Sequence, residues 1–158
     1  MRQRSTTFAV AFLLLMSLTL PLPFYDAWAQ SEEMPASRIE GHWTLVRATD
    51  HEGRKIKGLR VNAQHVLRLW FTDTGVTRSG GCNDTGAFYR YGHGVLERYN
   101  GAITAVGCHD KRLEQLDDKA DRLLSGKLQV AFNETSGKNQ LTLINANGDT
   151  LVFARDAD

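Results

Sequence analysis

The stretch Lys127–Arg155, KLQVAFNETSGKNQLTLINANGDTLVFAR, decides the fold. Three pieces of it, KLQVAF, QLTLIN and TLVFAR, alternate apolar and polar residues, the pattern of strands that bury one face. Asn147-Gly148 lies between the last two, and this dipeptide readily takes the backbone of a tight hairpin turn. A three-stranded meander is expected here.

Immediately upstream the period changes. From Lys111 to Leu124, the residues Leu113, Leu116, Ala120, Leu123 and Leu124 recur at helical spacing. Asp110 is placed to cap the first turn and Gly126 to end the helix. Asp117, Asp118 and Asp121 read as its solvated face, while the leucine stripe packs on a sheet.

Further upstream, strands return. HWTLVRA sets Trp43 and Leu45 on one face against Thr44 and Val46 on the other, and HEGRKIKG after it reads as a charged, glycine-bearing loop. HVLRLWFT is apolar on both faces for part of its length, as a central strand would be. Asp73-Thr74-Gly75 marks a hairpin turn leading into VTRSG, and Gly92-His93-Gly94 marks another between AFYRYG and GVLERYNG. Tyr89, Tyr91 and Tyr99, with Phe88, are expected to pack across neighbouring strands.

The front of the chain has the layout of a cleaved secretory signal over residues 1–29. It carries Arg2 and Arg4, an apolar run from Phe8 to Leu20, Pro21 and Pro23, then Ala27-Trp28-Ala29. At about 1.5 Å per residue the run spans about 20 Å, short of a hydrocarbon core about 30 Å thick. Residues 30–38 read as a flexible leader, and 39–158 as a single domain. A periplasmic or secreted location follows, with no membrane span after signal cleavage.

The whole chain holds 19 basic and 18 acidic side chains. Cleavage would remove Arg2, Arg4 and Asp26 and leave the two signs equal, which gives no basic stripe for nucleic acid. No phosphate-cradling glycine loop and no serine elbow is present, so no cofactor and no catalytic residue are expected.

Only two cysteines occur, Cys82 in SGGCND and Cys108 in TAVGC. In an oxidising compartment two cysteines of a small domain most often pair, and closing this loop would contribute about 3.5 kcal/mol. Gly80 and Gly81 permit a tight turn or close backbone approach, Asn83 tolerates the left-handed region, and Gly107 serves the same purpose beside Cys108. Other readings stay open. A thiol nucleophile would need a base such as His42, His93 or His109, and a zinc site would draw on Cys82, Cys108 and His109 but lacks Cys-x-x-Cys pairs.

Four pieces together resemble the META domain family, small exported proteins of the heat-shock protein HslJ type. These are GHWTLV with its following loop, GGCND, TAVGC, and RLEQLDDKADRLL leading into QVAF and NQLTL. Thr85 stands where the family tends to place an aromatic residue. The resemblance implies a β-rich α+β fold, a curved antiparallel sheet or partly open barrel of seven to eight strands with one helix packed on it. It also implies a disulfide and no established catalytic residues.

The expected function is a non-enzymatic, monomeric envelope protein, with a stress-related role, that binds another envelope or secreted protein. Two other classes compete. Gly41-His42-Trp43 matches the opening of lipocalin-like barrels that carry apolar small molecules, and small bridged β proteins also serve as hydrolase inhibitors.

Overall fold

The computed structural model describes residues 36–135 and 138–157. The signal reading of 1–29 and the first part of the leader lie outside the described residues. The leader's last residues, 36–38, form a short 3-10 turn instead of a flexible tether. Arg38 there pairs with Glu134 at 2.6 Å, and Ile39 behind it is fully buried.

Eight strands follow: β1 (Gly41–Thr49), β2 (Arg68–Phe71), β3 (Gly75–Ser79), β4 (Thr85–Gly92), β5 (Val95–Ile103), β6 (Lys127–Thr135), β7 (Lys138–Ile144) and β8 (Thr150–Arg155). One helix, α1 (Lys111–Leu123), stands between β5 and β6. The strands pair antiparallel in sequence order and close into a barrel, because β1 also pairs with β8 from Trp43↔Arg155 to Thr49↔Thr150. Closure leaves few free sheet edges of the kind that invite association, the second half of β5 being the main exception.

The turn chemistry falls where the sequence puts it. His93 and Gly94 take φ of 49° and 71° between β4 and β5, and Gly148 takes 85° between β7 and β8. Asp110 caps α1 by accepting from the Arg112 N–H at 2.9 Å, and Gly126 follows the helix at φ 71°. Strand β2 is shorter than the apolar run that contains it. Val66 and Leu67 are buried before the strand begins, with the Leu67 N–H bonded to Leu59 O at 3.0 Å.

Side chains fill the barrel. Trp43, Phe71 and Phe153 are each no more than 1% exposed, and burying such a side chain contributes about 1.5–3 kcal/mol. The Trp43 indole donates to Ile39 O at 2.7 Å and carries the Arg155 guanidinium 4.6 Å above its ring. Leu116, Ala120, Leu123 and Leu124 of the helix join the same core as Leu59, Val66 and Leu67.

Two departures from regular pairing matter. Strand β1 bulges between Leu45 and Arg47, so that Val46 and Arg47 both face outward. Strand β5 meets β6 only over Val95–Glu97 and Lys127–Gln129, whereas its second half follows β4 alone.

Candidate functional site

The disulfide ties the end of the β3–β4 turn to the strap that leads from β5 into α1. Cys82 and Cys108 are bonded, with Cα atoms 5.8 Å apart across 26 residues of sequence. Both sulfurs are in the bridge, which takes away the thiolate that a nucleophile or a zinc ligand would require. His42 and His93 are exposed, on β1 and in the β4–β5 turn, and His109 is exposed beside Cys108.

A buried ion pair anchors this turn to the helix. Arg78 points into the barrel from β3, is fully buried, and donates through Nη1 to Asp117 Oδ1. Its Nη2 donates to Thr85 Oγ1 at 2.5 Å. Nε lies 3.3 Å from Asp121 Oδ1, near enough for charge attraction but not aligned as a hydrogen bond. The other Asp117 oxygen accepts the N–H groups of Cys82 at 3.0 Å and Asn83 at 2.9 Å. One carboxylate thus neutralises the buried guanidinium and orients the bridged turn. Asp117 is therefore no part of a solvated face, whereas Asp118 is exposed and Asp121 partly so. The hydroxyl of Thr85 serves the buried arginine. Arg98 stands nearby, and burial lowers its guanidinium from the ordinary value, with Asp121 opposing that shift and Arg78 adding to it.

The residues expected to form the turn divide into required and incidental ones. Gly80 has φ of 106°, and a Cβ there would lie 1.9 Å from Val66 O; at Gly81 it would lie 1.8 Å from Asp117 Oδ1. Both must be glycine for the chain to pass. Gly107 has open space around it and no positive φ, so its expected role does not hold. Asn83 does not take the left-handed region. Its side chain reaches across to the strap, where Oδ1 accepts the Val106 N–H at 2.8 Å and Nδ2 donates to Val106 O at 3.4 Å. The side chain thereby imitates a strand partner. Thr104 adds a true backbone bond, donating its N–H to Asp84 O at 3.0 Å.

Beside this network lies the outer wall of β2 to β5. Cross-strand register places His42, Trp70, Thr77, Gly86 and Ala102 in one row, and Gly75, Phe88 and Tyr99 in the next. His42 stacks on Trp70 at 5.0 Å, Phe88 stacks on Tyr99 at 5.9 Å, and Arg90 lies over Tyr99 at 4.8 Å. Between the aromatic groups the glycines leave a shallow depression of about 310 Å³, floored by Gly75, Thr77 and Gly86 and edged by Phe88 and Asn100. Among the described residues six large apolar side chains are exposed, and three of them, Trp70, Phe88 and Tyr99, stand in these two rows; Ile103 pairs with Thr85 in the row of the inward-pointing Arg78, and Val106 lies on the strap. Alternation identifies the strands of this wall, but Trp70 sits in a run apolar on both faces, which hides the outward residue.

Fold and site together define a class: a small, closed antiparallel barrel with one helix, in which a disulfide and a buried arginine–aspartate pair secure the turn beside an apolar outer wall. The chain belongs to the META domain family, whose family model matches residues 36–158. No curated protein matches it. It is similar in fold to a protein from Burkholderia xenovorans solved by NMR, at 19% identity, with a TM-score of 0.65 and full coverage of both chains. A second NMR structure is 21% identical, with a TM-score of 0.49, over 73% of this chain and 89% of that one.

Proposed function

We propose that this META domain is a non-enzymatic, exported envelope protein, monomeric and HslJ-like, which binds another exported protein through the outer wall of β2–β5 and serves in envelope stress. The observation that carries this reading is the gathering of exposed apolar side chains on the one wall that adjoins the bridge, where Trp70 is 47% and Phe88 52% exposed. Contiguous apolar surface of this kind marks interaction sites. The bridge, the Arg78–Asp117 pair and Asn83 hold the turns at its margin in one shape, which lowers the ordering cost of association. Closure into a barrel suits a carrier of apolar small molecules as well, but Trp43, Phe71 and Phe153 occupy the interior, and this favours binding on the outside. The disulfide agrees with a site of action outside the cytoplasm.

The test is affinity capture from an envelope extract by the mature protein and by a Trp70→Ala, Phe88→Ala, Tyr99→Ala variant of matched thermal stability. Specific retention by the parent and its loss in the variant are expected. Equal retention by both, or an apolar lipid co-purifying with the parent, would overturn the reading.

A further inference from the structure

A second cavity, of about 270 Å³, lies on another part of the barrel between the bulged segment of β1 and the loop Lys55–Arg60. Four cationic residues line it, Arg47, Lys55, Lys57 and Arg60, and no carboxylate does. The loop leaves β1 and returns to it around the opening. The Ile56 N–H donates to Ala48 O at 2.9 Å on one side, and Arg60 Nη2 donates to Leu45 O at 3.0 Å on the other. The bulge at Val46 turns Arg47 outward beside this gap. From the helix, Lys119 Nζ donates to Lys57 O at 2.7 Å and adds a fifth cation to the neighbourhood.

The charge here is uncompensated. Two acids precede the loop, Asp50 and Glu52, and Arg54 binds both, each at 2.8 Å. Among the described residues no ion pair reaches Arg47, Lys55, Lys57, Arg60 or Lys119. A chain whose total net charge is +1 thus concentrates unpaired positive charge around one concavity. Buried Leu45, Ala48 and Leu59 give it an apolar floor.

From this geometry we infer an anion-binding site that takes a phosphate-bearing ligand of charge minus two or more. Guanidinium forks and flexible ammonium groups together suit the several oxygens of a phosphate or pyrophosphate group. The volume fits a small molecule or a headgroup, below the usual range of larger ligand clefts. No exposed aromatic side chain stands among the lining residues to stack a base, so single-stranded nucleic acid is the poorer fit. The site is separate from the β2–β5 wall, and its failure would leave the proposed function untouched.

Titration with inorganic pyrophosphate, followed by backbone amide NMR, tests the inference on the full mature chain. Saturable shifts are expected at residues 45–48 and 55–60, weakening as salt rises. An Arg47→Gln, Lys57→Gln variant, altered only at exposed side chains, should lose affinity about tenfold or more, whereas Arg122→Gln on the helix should not. Sedimentation with phosphatidylcholine vesicles, with and without phosphatidic acid, separates the sources. Pelleting only with phosphatidic acid, lost in the double variant, assigns a lipid headgroup, and pyrophosphate binding without pelleting assigns a soluble phosphate. No saturable shift together with no pelleting overturns the site. So does any binding that the double variant keeps in full, or that maps to other residues.

Discussion

Arg78 and Asp117, 39 residues apart in sequence, form an ion pair in which the arginine is fully buried and the aspartate nearly so. The pair joins the inner face of β3 to the helix, and its second carboxylate oxygen secures the bridged turn. Removing one partner of such a pair strands a charge out of water, at a cost of about 3–5 kcal/mol. Asp117→Ala is expected to lower stability by that amount in urea denaturation, against less than about 0.5 kcal/mol for Asp118→Ala at the exposed neighbouring position. An Arg78→Met, Asp117→Leu double variant should recover part of the loss, because it removes the stranded guanidinium but leaves the Cys82 and Asn83 N–H groups without their acceptor.

The two glycines before Cys82 are predicted to be intolerant of alanine, for different reasons. Gly81→Ala places a methyl group on the Asp117 carboxylate and Gly80→Ala places one on Val66 O. Overpacking of this kind costs about 1–3 kcal/mol, more where backbone must shift. Gly107→Ala, with open space around it, should cost less than about 0.5 kcal/mol. Thermal melts of the three variants check the ranking.

Loss of the bridge in a Cys82→Ser, Cys108→Ser variant is expected to cost about 3.5 kcal/mol on the chain-entropy estimate for a loop of this length. The barrel strands should persist, since the pairing of β1 with β2 and β8 does not pass through the bridge. Denaturant midpoints with and without reductant measure the cost. Amide exchange should locate the loosening at residues 80–84 and 104–108.

Asp110 supplies a pH prediction. Hydrogen bonds from the Arg112 side chain, then from its backbone N–H, bring the carboxyl down from 3.8 to about 2. Because the folded value is depressed, the capping contribution is complete above about 3.8 and disappears as pH falls through about 2. Carboxyl-carbon NMR should show the Asp110 midpoint near the lower value, and Arg112→Ala should move it upward.

Much of this architecture is legible in the amino-acid order, because local rules set it. Alternation marks the closing meander, leucine spacing and Asp110 mark the helix, and Asn147-Gly148 marks a turn. Closure of the barrel is not legible, since the β1–β8 pairing joins segments about a hundred residues apart. The part played by Asp117 is hidden for a related reason. On the helix it looks like its neighbours Asp118 and Asp121, and only the inward turn of Arg78 on a distant strand distinguishes it. The cationic cavity had a visible trace in Arg54-Lys55-Ile56-Lys57-Gly58-Leu59-Arg60. That run reads as a solvated loop until Arg54 is seen to take both nearby acids.

Photo-crosslinking from the barrel wall tests the binding reading most directly. A photoreactive side chain at position 88, on the aromatic wall, should yield a defined protein adduct in intact cells, while the same group at Gln129, exposed on β6, should yield none. No adduct from position 88, or the same adducts from both positions, would contradict the account.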